Sequence, residues 1–205
     1  MITFLRLSLL FTRNVIGCIN SPYVTYRNLI EEKTGLKQTG FIFFLVLAYF
    51  IFVSLIRLPV RNPYLLTLKF NILLVSWLSG FLGIILLLYF LGRLVKVQGS
   101  FRTIFILWSW SLLPTLTWFF LTSFMFIIFP PPRTLSIWGQ LYSLFFIAFS
   151  FSLLFWKLIL YYLTLRFALR FDLLKIIIVS LMLVPFMVAY SMVMYSLGIF
   201  RIPFI

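Results

Sequence analysis

Few side chains in this sequence could do chemistry, and the missing ones constrain it most. The chain has no histidine, one cysteine (Cys18), and three acids, Glu31, Glu32 and Asp172. A histidine-based triad cannot be assembled, nor can a cysteine/histidine zinc site. One cysteine allows no disulfide within the chain. Paired carboxylates in apolar surroundings, the usual proton or sodium relay, are absent. No catalytic, cofactor-binding or metal-ligating set is therefore expected, and no enzyme.

The charges that remain are almost all positive. Seventeen Lys and Arg give a formal charge of +14. Lys157 is the most unusual of them, because Leu153-Leu154-Phe155-Trp156 precede it and Leu158-Ile159-Leu160 follow. If a span is centred near Leu153, Lys157 lies about 6 Å from that centre at 1.5 Å per residue. Intramembrane charges mark functional sites by default. With no acid in any span, the partner would be a carbonyl, a hydroxyl or a lipid phosphate. Alternatively the span ends at Trp156 and Lys157 marks the interface. Arg93, Lys96, Arg102, Arg166, Arg170 and Lys175 could form one basic cytoplasmic surface for anionic headgroups or an acidic partner. Positive-inside topology accounts for the same charges without a ligand. In a soluble chain this charge would suggest nucleic acid. Here the basic residues sit mostly between apolar spans, and no nucleic acid is expected.

The elements that must position these residues are membrane helices. Of the 205 residues, 64% are hydrophobic and 10% charged, too apolar for a soluble domain. The expected fold is all-α: an integral membrane bundle of five transmembrane helices with an N-terminal interfacial amphipathic helix. Residues 1–39 form the interfacial segment and 40–205 the membrane domain. The spans are expected at about 40–56, 70–91, 103–129, 135–156 and 176–199.

In residues 1–20, Arg6, Arg13, Gly17 and Asn20 fall close to one helical face, as an interfacial helix requires. A signal peptide is disfavoured because Arg6 and Arg13 interrupt the apolar core. Cys18 then reads as a small buried residue rather than a lipid attachment site. Ser21-Pro22 begins a second short helix, which Gly35 can close. Glu31 and Glu32 on that helix should face water. Pro59 and Pro63 make Arg57–Lys69 an extended link. Ser76, Ser79, Gly80 and Gly83 form a small-residue packing face. Pro114 should kink span three, with nearby Ser and Thr re-satisfying the freed backbone. Pro130-Pro131-Pro132 ends that span. Asp172 can cap the last helix, which holds Pro185. The two proline-containing spans do not occupy corresponding halves, so no inverted repeat is indicated.

Orientation follows from the basic residues. With the N-terminus cytoplasmic, the inner segments hold eleven Lys and Arg and the outer ones five, leaving Lys157 aside. This predicts a cytoplasmic N-terminus and an outer C-terminus.

Three blocks together carry a family resemblance. They are Ser21-Pro22 with Thr25-Tyr26 and Leu29; Gly99-Ser100-Phe101-Arg102 leading through Trp108-Ser109 to Leu112-Leu113-Pro114; and Trp156-Lys157-Leu158 leading to Leu165-Arg166-Phe167-Ala168-Leu169 and Lys175. Over about residues 20–185 the chain resembles the Ypt-interacting protein (Yip) family of five-span membrane proteins. The resemblance implies a non-enzymatic, partner-binding role and a cytoplasmic N-terminus. Eukaryotic members act with small GTPases in Golgi and endoplasmic reticulum trafficking. This chain lacks their Asp-Leu-Tyr-Gly-Pro motif and long polar arm, which argues against GTPase binding. It looks more like compact bacterial members, so a bacterial inner membrane is expected over a Golgi or endoplasmic reticulum membrane. The function expected is a scaffold or adaptor that binds membrane lipids and other integral membrane proteins or itself. The alternatives are a transporter or channel subunit and an accessory subunit of a larger membrane complex.

Overall fold

The computed structural model describes residues 2–32, 34–57, 63–95, 99–128 and 137–199. The Pro130–Pro132 stop lies outside them. The elements are α1 (Ile2–Asn20), α2 (Pro22–Glu31), α3 (Gly35–Arg57), α4 (Pro63–Leu94), α5 (Phe101–Trp110), α6 (Leu113–Ile128), α7 (Ile137–Ala168) and α8 (Leu173–Ser196). Five stretches are long and apolar enough to cross a membrane: α3, α4, α5 with α6, α7, and α8. The protein is an integral, multi-pass membrane protein of all-α class.

Helix ends differ from the sequence expectations in three places: Asp172 stands at the start of α8 but its side chain makes no capping bond, and two boundaries move. Gly35 opens α3 instead of closing α2, which ends at Glu31. There the Gly35 amide donates to the Glu32 carbonyl and the glycine packs on Leu29 and Ile106, so the chain turns tightly between α2 and α3. The link before span two is not wholly extended either, because α4 is helical from Pro63. A proline at the first helical position removes an amide that would have no partner there anyway. Pro22 begins α2 for the same reason.

The central helix is α5, which packs against α2, α3, α4 and α7. An aromatic stack joins it to its neighbours. Phe43 of α3 touches Trp77 (5.5 Å) and Phe81 (5.4 Å) of α4 and Phe105 (5.6 Å) of α5. Such ring pairs add to the burial they come with. Around this centre α8 packs on α4, α6 on α3, and α1 on α2 and α3. The inward face of α1 carries Phe11, Asn14, Val15 and Cys18, while Leu5, Leu9, Ile16 and Ile19 are exposed.

Candidate functional site

Span three is broken rather than kinked. Its first half, α5, ends at Trp110, and α6 starts at Leu113 with Pro114 in its first turn. Pro114 has no amide hydrogen, so the carbonyl of Trp110, four residues earlier, loses its helical donor. The chain tightens here: the Leu112 amide donates to the Ser109 carbonyl (3.1 Å) and the Ser111 hydroxyl to the Trp108 carbonyl (2.7 Å). The carbonyl of Ser111 is met from another helix. Lys157 Nζ of α7 donates to it at 2.9 Å and stands 5.6 Å from the Trp108 ring centre. A buried carbonyl left without a partner costs about 1–3 kcal/mol, and the Lys157 donor offsets that cost. The carboxyl end of a helix also carries partial negative charge, which a cation neutralises. Lys157 thus caps a half-helix from across the bundle. It is about 15 Å along the helix axes from the end that holds Phe101 and Ala168, at 1.5 Å per residue.

Its neighbour Trp156 does the same for α1. The carbonyl of Cys18 would be bonded by the amide of residue 22, but Pro22 has none. Trp156 Nε1 donates to it at 3.0 Å. Two consecutive residues of α7 therefore fill two carbonyls left open near prolines. Sequence reading missed Ser111, Trp108 and the Cys18 carbonyl as partners. For Cys18 the available signal was the four-residue spacing to Pro22, which names the carbonyl but not the donor; for Ser111, Pro114 marks only the neighbourhood, since its own spacing names the Trp110 carbonyl.

A polar network ties the same region to α3. Asn14 Nδ2 donates to Gln38 Oε1 (2.8 Å), Gln38 Nε2 to Glu32 Oε2 (2.9 Å), and Arg13 pairs with Glu32 Oε1 (2.7 Å). Asn14 and Gln38 are buried, so each needs these partners. Glu32 is thus turned into the network and only Glu31 is exposed, contrary to the expectation that both face water. The fully buried Cys18 thiol is pushed up to about 12 by its burial.

The predicted basic residues gather at one end of the bundle. The end of α4, the start of α5 and the end of α7 converge there, since Gly92 and Gly99 both lie against Leu169. Arg93 and Arg166 each bond a tyrosine one turn earlier on their own helix, Tyr89 at 2.8 Å and Tyr162 at 2.5 Å. Arg102 and Arg170 are exposed and Lys175 is half-buried. Lys96 lies outside the described residues. On the small-residue face, a Cβ at Gly80 would stand 2.8 Å from the Tyr190 ring, and one at Gly83 would stand 3.7 Å from Phe186. The Tyr190 hydroxyl bonds the Ser76 carbonyl and lies 3.2 Å from the Ser79 hydroxyl. Pro185 lies within α8, which continues through it.

No curated protein and no solved structure matches this chain. The profile of the Yip1 domain matches residues 16–195, which include the Trp156–Lys157 pair, the broken span and the small-residue face of α4. By that match the chain belongs to the Yip family of membrane proteins.

Proposed function

We propose that this protein is a non-catalytic membrane scaffold or adaptor, inserted with its N-terminus in the cytoplasm. Its basic end binds anionic headgroups or an acidic partner, and its spans bind other integral membrane proteins or a second copy. The observation that carries this reading is the gathering of Arg93, Arg102, Arg166, Arg170 and Lys175 where three helix ends converge on Leu169. Clustered juxtamembrane Lys and Arg attract anionic lipid at about 1 kcal/mol each. Family membership supports a role beside other membrane proteins, and the long exposed apolar faces of α7 and α8 supply surface for them.

The test is extraction from the native membrane in mild detergent, followed by cross-linking mass spectrometry. A stoichiometric partner cross-linked to Lys33, Lys37, Lys96 or Lys175 is expected. A chain that stays monomeric and partnerless would sink the adaptor reading.

The broken span favours a second reading, as a transporter or channel subunit. Discontinuous helices build substrate and ion sites in several transporter folds. Here the carboxyl end of the half-helix is occupied by Lys157. Liposome flux in the native chain that changes in Lys157→Ala would support this reading. Absence of flux in both would remove it.

A further inference from the structure

We infer that a cleft at the basic end binds a headgroup carrying both a phosphate and a primary ammonium, that of phosphatidylethanolamine. The cleft, about 260 Å³, lies between the end of α2 and the start of α5. Ile30, Glu31 and Glu32 line one side, and Ser100, Arg102 and Thr103 line the other. The two walls therefore carry opposite charge.

On the α5 wall, Arg102 is exposed, and its guanidinium has no ion pair or hydrogen bond among the described residues. The hydroxyl of Ser100 makes no capping bond to its helix. Both groups are free to meet a phosphate, which guanidinium binds in a fork geometry. On the α2 wall the two carboxylates differ. Glu32 is held by Arg13 and Gln38. Among the described residues Glu31 has only Arg27, one turn away at 3.3 Å, with both side chains about two-thirds exposed (67% and 65%). Such a surface pair is weak and yields to a better donor. Glu31 is the group that would receive an ammonium.

A simple anion would meet two carboxylates, and a simple cation would meet Arg102 and Arg27. A zwitterion satisfies both walls. A primary ammonium donates charge-assisted hydrogen bonds to Glu31, which a choline group cannot do. Ile30 and Ile106 in the lining give the cleft an apolar side for acyl chains. That side favours the lipid over a free phosphoamine. The inference shares Arg102 with the basic cluster of the adaptor reading but uses no protein partner.

The experiment is native mass spectrometry of the full chain, titrated with phosphatidylethanolamine, phosphatidylcholine and phosphatidylglycerol of matched acyl chains. Soluble phosphoethanolamine is a separate arm. The ethanolamine lipid should bind roughly tenfold more tightly than the choline lipid, the scale of one charge-assisted hydrogen bond, whereas phosphatidylglycerol, which the basic cluster also attracts, should bind independently of Glu31. Arg102→Gln should weaken it roughly tenfold, and Glu31→Gln should erase its advantage over the choline lipid. Equal binding of the ethanolamine and choline lipids, or an unchanged preference between them in Glu31→Gln, overturns the site. Soluble phosphoethanolamine binding as tightly as the lipid overturns the lipid assignment. Both variants alter exposed side chains, so folding is expected to persist, and an unchanged thermal unfolding profile checks this. Failure of the adaptor reading is seen in different data, the partner cross-links.

Discussion

The longer first part of α7 and its shorter last part are both mostly apolar, yet their surroundings are opposite. From Ile137 to Ile159 no residue is buried, and Leu141, Leu144, Phe145, Phe151 and Phe155 all face outward. From Leu160 onward, Leu160, Leu163, Thr164, Leu165 and Ala168 are buried against α2, α5 and α8. The changeover comes at Trp156 and Lys157, the two residues whose polar tips fill open carbonyls on α1 and α5. Hydropathy therefore does not tell a lipid-facing surface from a protein core, because lipid tails are as apolar as leucine. What separates the two parts is where polar backbone groups have to be met.

Cys18 sits where α1 meets Trp156, and its thiol is raised by burial from 9.0 to about 12. A raised thiol holds its proton at pH 8, so thiolate is scarce. Maleimide labelling at pH 8 should be roughly a thousandfold slower in the folded chain than after unfolding in dodecyl sulfate. Equal rates would show that α1 does not close over this region.

Leu163 is 4% exposed and Leu144 is 67% exposed. Leu163→Ala should cost about 2–4 kcal/mol by cavity formation. Leu144→Ala should stay within about 0.5 kcal/mol, because it faces lipid in either state. Reversible unfolding in mixed micelles reads both, and similar losses would erase the distinction between the two parts.

Two glycines at the start of α3 make a second pair. A Cβ at Gly35 would meet the Leu29 carbonyl oxygen at 2.8 Å, whereas nothing lies within 4 Å of one at Gly40. Gly35→Ala should lose about 1–3 kcal/mol by overpacking. Gly40→Ala should gain about 0.5 kcal/mol or more from helix propensity. Thermal unfolding that moves the same way in both variants would refute the tight turn.

Lys157→Met keeps the apolar stem and removes the donor. Leaving the Ser111 carbonyl without a partner should cost about 1–2 kcal/mol, and Lys157→Arg should recover part of it. No change in Lys157→Met would mean that another donor or water already serves this carbonyl.

Much of the architecture was legible in the residues. Long apolar runs bounded by Arg, Lys and Pro set the spans, since a bilayer demands about 20 apolar residues per crossing. Cys18 read as buried because small thiols pack well. Pro114 marked the place where span three is interrupted, since proline removes a donor wherever it stands. The turn at Gly35 was misread, because glycine serves a helix end and a close approach equally well.

The residues by themselves were enough to name lipid as the solvent and to place five stretches long and apolar enough to cross it, because both depend on transfer free energies summed along the chain. Packing between helices settled which apolar faces are buried against protein and which stay exposed. It also decided that Lys157 meets the carbonyl of Ser111, and that Glu32 is consumed in a network while Glu31 stays exposed. Those outcomes depend on contacts between residues 46 positions apart for Lys157 and Ser111, and 138 apart for Trp156 and Cys18. No local pattern encodes which donor will reach a carbonyl that a proline has left open.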